Sequence, residues 1–384
     1  MKRILALLAL LLFAGTALAD GFAPAAGVPR SGGTFTGAVT VPSLNGGALA
    51  GFRNVIINGD FRVAQRGTSF TSATTPANSD DTFLLDRWIL LSDGNDIVDV
   101  TQSTTAPTNG LNSIALDVET VDKKFGIFQP IEQKNCVGLL GQTVTLSFQA
   151  RTAGGGKIDN VKAAIVTWSG TADTVTSDIV SAWGAEGTNP TLAANWTYEN
   201  VPGNLNVTTS FVRYSVTAAM DTSGGTNCGV FIWSDVTDTD LEDFLYITDV
   251  QLEVGSVATT FERRPYSVEL DLCQFYAQWL GGTAVYQSFG AGHAITTDAT
   301  LIPVRFIRQM RVAPTISLSD VTHFAVDNAN GTPIVVATFA ANHITAYGFT
   351  AEPTTAALGL TATNPVAFFA NNTTAARLKF EAEM

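Results

Sequence analysis

Residues 143–151 read TVTLSFQAR, and this stretch decides the class of fold. Its apolar side chains, Val144, Leu146, Phe148 and Ala150, alternate with polar ones. A period of two residues places the two sets on opposite faces of a β-strand, so one face meets a core and the other meets water. The segment therefore predicts a strand of a half-buried sheet.

The same patterning recurs through residues 52–265, where apolar runs are separated by loops rich in Gly, Asn, Asp and Thr. Residues 212–218 and 250–254 alternate in the same way, and residues 229–233 form a continuous apolar run that suits a central strand. Because this region shows no helical period, we expect an all-β protein. About 210 residues of this kind predict an antiparallel β-sandwich, jelly-roll-like and with long loops.

The pattern changes near residue 266. Residues 267–280 read SVELDLCQFYAQWL, in which apolar residues recur at three-residue spacing. This spacing predicts a short connecting helix over residues 266–280. Residues 281–384 return to β-type sequence with turn signals, and they predict a smaller, β-rich C-terminal domain.

The first 51 residues carry two further signals. Lys2 and Arg3 precede an apolar run, and residues 17–19 read ALA, the layout of a secretory signal peptide over residues 1–19. The alternatives are a buried helix or a mis-called start codon. Residues 20–51 are rich in Gly and Pro, which predicts a stalk or linker. No segment after the signal peptide is long and apolar enough to predict a membrane span.

The composition excludes several classes of protein. The chain contains 21 Lys and Arg against 34 Asp and Glu, a net charge of −13, and its charged fraction is only 14%. A hydrophobic fraction of 46% excludes a disordered chain, and the negative charge argues against nucleic acid as a partner. The cysteines, Cys136, Cys228 and Cys273, do not form a disulfide framework. One bridge is compatible with an oxidising compartment, but the spacing selects no pair.

The sequence contains no recognisable catalytic motif. His293, His323 and His343 all lie in the C-terminal part, and no HExxH, GxSxG, P-loop or GxGxxG pattern is present. We therefore expect a protein that is not an enzyme and needs no cofactor. Carboxylates are plentiful, so hydrolysis of glycosides by a carboxyl pair stays open as an alternative.

Two acidic groups are candidate calcium sites, because Ca²⁺ prefers oxygen ligands. The denser group comprises Asp235, Asp238, Asp240 and Asp243, and the second comprises Asp93, Asn95, Asp96 and Asp99. Neither has the EF-hand spacing, so a solvated loop is the alternative for both.

Aromatic residues in polar, loop-like sequence are the candidate carbohydrate contacts. Trp183 follows Ala182 and precedes Gly184, while Trp196 and Tyr198 lie within NWTY. A sugar ring stacks its C–H faces on such planes. These three residues predict an exposed binding platform, whereas Trp88 and Trp233 lie in strand contexts and are expected in the core.

Several motifs, taken in order, resemble a phage tail-fibre family. They are NVIINGDF (54–61), QRGT (65–68), DRW (86–88), FERRPY (261–266) and FEAEM (380–384). The resemblance implies a virion appendage protein with a carbohydrate-binding-module-like sandwich, in which residues 281–384 are the fibre tip. It also implies a homotrimer, other virion tail proteins as partners, and a glycan of the host surface as ligand.

The leading functional hypothesis is thus a non-enzymatic adhesion protein of the virion that binds host-surface glycans. A secreted or cell-surface bacterial carbohydrate-binding protein is the alternative, which the predicted signal peptide favours because virion proteins are normally assembled in the cytoplasm. A glycan-degrading tailspike is the third hypothesis.

Overall fold

The computed structural model describes residues 52–221, 224–327 and 331–384. The strands of the first part are β1 (Ser69–Phe70), β2 (Thr82–Phe83), β3 (Ile89–Ser92), β4 (Val98–Ser103), β5 (Ser113–Val118), β6 (Phe125–Ile131), β7 (Thr143–Ala153), β8 (Val161–Trp168), β9 (Val180–Ala182), β10 (Thr191–Leu192), β11 (Trp196–Tyr198), β12 (Val212–Ala219), β13 (Asn227–Ser234) and β14 (Phe244–Val254). A short helix, α1 (Gln133–Cys136), lies between β6 and β7.

The second part begins with helix α2 (Tyr266–Gln274). Its strands are β15 (Ala277–Gly281), β16 (Ser288–Ala294), β17 (Thr300–Arg305), β18 (Thr315–Leu318), β19 (Phe324–Asp327), β20 (Pro333–Asn342), β21 (Gly348–Thr355), β22 (Pro365–Ala370) and β23 (Arg377–Glu381). A 3-10 helix, Val321–His323, precedes β19.

Two six-stranded sheets form the first part. Sheet A has the strand order β1-β4-β5-β14-β7-β12, and sheet B has the order β11-β8-β13-β6-β3-β2. Neighbouring strands within both sheets are antiparallel. The apolar run at residues 229–233 lies in β13, buried between β6 and β8. The predicted all-β antiparallel sandwich is confirmed.

The core lies between the two sheets. Leu146 and Phe148 point inward from β7, and Ile165 and Ile232 point inward from sheet B. Burial of each such side chain stabilises the fold by about 1.5–3 kcal/mol. The apolar faces that the alternation predicts therefore hold the two sheets together. Trp88 also lies in this core, as expected.

The connecting helix is shorter than predicted. Helix α2 ends at Gln274, and residues 277–281 form β15 instead of a fourth helical turn. Strand β15 pairs with β23, which lies about a hundred residues later in the sequence. A local three-residue spacing cannot reveal such a distant partner, and this pairing overrides it.

Residues 288–370 contain a closed barrel with the strand order β16-β17-β21-β20-β19-β22, beside a three-stranded sheet, β15-β23-β18. Phe324, Phe368 and Phe380 lie in their shared core. The predicted signal peptide (1–19) and stalk (20–51) lie outside the described residues. None of the helices in the described part of the chain is long and apolar enough to cross a membrane.

Candidate functional site

The outer face of sheet A carries a ladder of polar and aromatic side chains. Because Leu146, Phe148 and Ala150 point into the core, the alternation of β7 turns Gln149 and Arg151 outward. The strand register places Arg213 of β12 opposite Gln149, and Tyr246 of β14 opposite Arg151. Cross-strand neighbours on one face lie within reach of each other, so these side chains form one surface.

This face holds two adjoining depressions, which we call together the sheet A cleft. The larger has a volume of about 550 Å³ and is lined by Ala106, Pro107, Thr108, Asn109, Gln149, Arg151, Thr209, Ser210 and Phe211. The smaller has a volume of about 200 Å³ and is lined by Asn109, Gln149, Arg213, Asp249, Thr260, Phe261 and Arg263. Asn109 and Gln149 line both parts, so the cleft is continuous.

One end of the cleft is built from aromatic rings around an arginine. The centroids of the Phe211 and Tyr246 rings lie 6.5 Å apart. The Arg151 guanidinium lies 5.9 Å from the Phe211 centroid and 5.4 Å from that of Tyr246. Phe244 stacks on Tyr246 at 5.7 Å. Burial raises the pKa of Tyr246, and the positive charge of Arg151 opposes that rise. The two rings hold the guanidinium in a fixed orientation.

The other end of the cleft is a hydrogen-bonded polar network. Gln149 Nε2 donates to Asp249 Oδ2 at 2.8 Å, and Arg263 Nη2 donates to both carboxylate oxygens of Asp249, at 2.9 and 3.0 Å. Arg213 Nη2 donates to Ser147 Oγ at 2.8 Å. Burial raises the pKa of Asp249, which Arg263 and Gln149 oppose, and burial lowers the pKa of Arg213. The polar groups are therefore oriented before any ligand arrives.

This arrangement suits the binding of a polyhydroxylated ligand. An aromatic plane accepts the C–H face of a sugar ring, and amide and guanidinium groups hydrogen-bond its hydroxyls. Asp249 is the one carboxylate among the residues that line the cleft. Hydrolysis of a glycosidic bond uses two carboxyl groups at a set separation.

The predicted platform residue Trp196 is not exposed, which corrects the sequence interpretation. Only 4% of its surface is accessible. Its ring packs edge-on against Phe128 at 5.4 Å and lies 5.3 Å from Trp168, and its Nε1 donates to Thr176 Oγ1. Trp196 lies in β11, the edge strand of sheet B, and its ring belongs to an apolar cluster of that sheet that also contains Val175 and Ile179 from the preceding segment.

Trp183 and Tyr198 pack against the same apolar cluster as Trp196. Trp183 is half-buried, with its ring 5.9 Å from that of Phe231. Tyr198 is half-buried 6.4 Å from Trp233, and its hydroxyl donates to the carbonyl oxygen of Pro190. Burial raises the pKa of Tyr198. Both side chains join a second apolar cluster on sheet B, whereas the cleft lies on sheet A.

The predicted calcium ligand Asp235 is already neutralised by the protein. It is fully buried, with Oδ1 2.5 Å from Lys124 Nζ and Oδ2 2.7 Å from Lys162 Nζ. The backbone N–H of Gly187 also donates to it. Two ammonium groups thus occupy the positions that a calcium ion would need. A calcium ion beside them would be repelled, because like charges repel at this distance.

The other predicted calcium ligands are also engaged or apart. Asp243 accepts hydrogen bonds from the backbone N–H groups of Gly155 and Asp240, and Asp240 pairs with Lys157 at 3.0 Å. Asp238 is exposed. Within residues 52–221, 224–327 and 331–384, no group of three or more His, Cys, Asp or Glu side chains is arranged to hold a metal ion. The described geometry therefore does not favour calcium at either acidic group.

Two of the motifs behind the family resemblance, NVIINGDF (54–61) and DRW (86–88), have structural roles, whereas FERRPY (261–266) supplies Phe261 and Arg263 to the cleft. Asn58 Nδ2 donates to the carbonyl oxygen of Asp86, and Trp88 Nε1 donates to the carbonyl oxygen of Asn58 at 3.0 Å. A Cβ atom on Gly59 would lie 2.1 Å from the carbonyl oxygen of Val250, so this position accepts only glycine without a shift of the backbone. These contacts hold the segment around Asn58 against the sandwich, and none of these residues lines the cleft.

The sequence pattern does not predict the cleft, although the strands it predicts contain some of the residues that line it. Gln149, Arg151 and Arg213 appear in the alternating strands as the polar face. The available signal was that large, hydrogen-bonding side chains recur on one outward face of neighbouring strands. Which strands are neighbours is fixed by the topology, and the sequence pattern does not supply it.

Comparisons with known proteins find partial structural likeness only. No known protein family matches the chain, and no curated protein matches it. Over 54% of its length, the chain is similar to the enzymatically active domain of tailspike protein 4 of bacteriophage CBA120, with 17% identity and a TM-score of 0.32. The match spans 22% of that tailspike chain.

Two carbohydrate-binding domains show similar partial likeness. The C-terminal family 22 carbohydrate binding module of Clostridium thermocellum Xyn10B matches over 47% of this chain and 94% of its own, with 12% identity and a TM-score of 0.29. A xylan-binding domain from Paenibacillus barcinonensis matches over 47% and 94%, with 11% identity and a TM-score of 0.27.

Proposed function

We propose that this chain is a non-enzymatic adhesion protein of the phage tail-fibre type, whose sandwich binds a host-surface glycan in the sheet A cleft. The observation that carries the proposal is that the Phe211 ring, in contact with Tyr246, lies with the polar side chains of Gln149 and Arg151 along one open face. The ordered motifs of the family resemblance support the virion assignment.

The openness of the cleft sets the expected affinity. A shallow site that holds one or two sugar rings binds near 1 mM, about −4 kcal/mol. Three copies on one particle raise the avidity roughly 10²- to 10⁴-fold without new contacts. A homotrimer would therefore convert a weak site into effective attachment.

The surface of the C-terminal part supports an oligomer. Large apolar side chains, among them Tyr286, Tyr347 and Leu358, are exposed there. Interface cores are poor in charge, and this region is as well. Light scattering of the purified chain should give the mass of a trimer, and a monomer at micromolar concentration would argue against the fibre assignment.

The binding proposal is tested with variants on an array of bacterial surface oligosaccharides. Phe211→Ala removes the stacking plane and Gln149→Ala removes a donor. We expect each to weaken the signal about tenfold or more, because such anchors contribute on the order of 1–2 kcal/mol.

Tyr347→Ala is the matched control, since it removes an exposed aromatic ring from the barrel part. It should bind as the parent protein does, and thermal melting should show that all variants fold. Equal binding by the parent and by Phe211→Ala would remove the cleft as the site.

The predicted signal peptide favours a secreted or cell-surface carbohydrate-binding protein as the second candidate. Mass spectrometry of the N-terminus, from virions and from culture supernatant, distinguishes the two locations. Incubation with host polysaccharide tests the tailspike alternative, since shortening of the polymer would require a carboxyl pair outside the cleft.

A further inference from the structure

We infer that the sheet A cleft selects an anionic glycan, and that Arg151 contacts the charged group of the sugar. This inference rests on the proposed function and deepens it, because it names the chemical class of the ligand. The shared chemistry is an anionic oxygen pair or triplet, as in a uronic acid carboxylate or a sugar sulfate.

The charge of the cleft is opposite to that of the protein. The whole chain carries a net charge of −13. The residues that line the cleft include three arginines, Arg151, Arg213 and Arg263, and one carboxylate, Asp249. A positive concave surface on an acidic protein attracts anionic ligands and is screened by salt.

Two of the three arginines are committed to the protein. Arg263 donates to both oxygens of Asp249 and also lies 3.4 Å from Asp60. Arg213 donates to Ser147 Oγ and to the carbonyl oxygen of Thr259. Their donors therefore hold the cleft together and are only partly available to a ligand.

Arg151 is the arginine that remains available. Among the residues that the structure describes, it forms no ion pair, and its buried Nε has no hydrogen-bond partner. Phe211 and Tyr246 flank its guanidinium, so little conformational freedom is lost when it binds. A planar, pre-oriented guanidinium with free donors matches the paired oxygens of a carboxylate or sulfate.

The neutral donors of the cleft fit the rest of such a sugar. Asn109 and Gln149 line both parts of the cleft. Their amide groups can hydrogen-bond the hydroxyl groups of a bound sugar. An acidic sugar thus meets an amide-lined surface and one unpaired cation together. A neutral sugar would leave Arg151 without a partner and would forgo a charge-assisted hydrogen bond.

The experiment compares polysaccharides that differ only in charge, with the full chain. The probes are polygalacturonate against its methyl ester, alginate against carboxyl-reduced alginate, and dextran sulfate against dextran. Binding is measured by calorimetry or by retention on immobilised polymer. In at least one pair we expect the anionic member to bind about tenfold more tightly, with weakening at high salt. The pair that responds shows whether carboxylate or sulfate is the charged group.

Variants test whether Arg151 is responsible. Arg151→Gln should abolish the preference for the anionic member, and Arg151→Lys should retain part of it because the charge stays. Arg305→Gln is the matched control, since Arg305 is exposed on β17, away from the cleft. Thermal melting confirms folding of each variant.

The outcomes separate this inference from the proposed function. If neutral and anionic members bind equally, or if Arg151→Gln keeps the preference, the inference is overturned while glycan binding stands. If no member of any pair binds, and the surface-oligosaccharide array is also negative, the proposed function itself fails.

Discussion

Arg66 Nη2 donates to Glu383 Oε1 at 2.9 Å, and both side chains are almost wholly buried. Arg87 also donates to Glu383, and Asp86 lies on the other side of Arg66. Burial by itself lowers the pKa of Arg66, but the surrounding carboxylates Glu383, Asp86 and Glu381 raise it overall. This network joins the loops at the edge of the sandwich to the residues that follow β23.

Removing the central carboxylate should destabilise the fold. Glu383→Ala leaves Arg66 and Arg87 buried without their shared partner, and breaking a buried pair in this way costs about 3–5 kcal/mol. Glu381→Ala is the matched control, because that side chain is 43% exposed, and an exposed pair contributes roughly 0–1 kcal/mol. Urea denaturation measures both free energies of unfolding. Equal losses for the two variants would contradict this role for Glu383.

The sequence predicted these residues as motifs but not as partners. Arg66, Arg87 and Glu383 lie in three of the segments that carry the family resemblance, and the structure brings them together over about 300 residues of sequence. Alternation predicted the sandwich, because burial of one strand face is a local property of the chain. Long-range pairing decided the rest, including the end of helix α2 and the position of the cleft.

Exposure was the least predictable property of the candidate site. Trp183 and Trp196 lie in polar sequence, yet both side chains pack into an apolar cluster on sheet B. Conversely, Arg151 lies in a strand pattern that predicts only a wet face. Whether that face is open depends on the loops that surround it, and those contacts are non-local.

Substitution of the buried Asp235 tests whether its carboxylate serves as the partner of two lysines or as a calcium ligand. Asp235→Asn leaves the ammonium groups of Lys124 and Lys162 without a counter-charge, and we expect a loss of about 3 kcal/mol or more in the free energy of unfolding. Addition of millimolar calcium should leave the melting temperature of the parent protein unchanged. Asp238→Asn, at an exposed carboxylate, should have little effect on stability. A calcium-dependent rise in melting temperature would restore the metal hypothesis.

The structure places two of the three cysteines in one core and the third in another, whereas the spacing of the sequence favoured no pair. All three thiols are free and buried. Cys136 and Cys228 both lie in the core between the sheets, where the two thiols influence each other electrostatically, whereas Cys273 packs with Ile57 and Val63. Burial first, and Cys136 second, raise the pKa of Cys228, so little of this thiol is thiolate in the folded protein.

Refolding with oxidised glutathione should therefore join Cys136 to Cys228 before the core closes. The two thiols transfer two hydrogen atoms to glutathione disulfide, which yields two glutathione molecules and one protein disulfide. Peptide mass spectrometry after alkylation in denaturant locates the bond. Cys273→Ser should keep the crosslink and Cys136→Ser should lose it. A crosslink that includes Cys273 would show the pairing to be wrong.

Stability should depend on pH through Asp117, on the outer face of sheet A. Burial raises its pKa to about 6, and repulsion from Glu242, Glu119 and Asp99 adds to the rise. Its Oδ1 is buried, and none of the residues in the described part of the chain hydrogen-bonds to it. A carboxyl whose pKa is higher in the folded state than in the unfolded state binds more protons when folded. Stability therefore falls as pH rises from about 4 to about 6, and it stays lower above that window.

Asp117→Asn removes this penalty because the amide does not ionise. We expect a higher melting temperature than the parent protein above about pH 6, and a difference that disappears near pH 4, where the parent carboxyl is protonated as well. Asp238→Asn is the control, since it removes one negative charge at an exposed position and should not reproduce the pH dependence. Melting curves across this pH range test the prediction. A difference in melting temperature that stays constant at all pH values would mean that the amide acts through packing or hydrogen bonding. The titration of Asp117 would then have no part in stability.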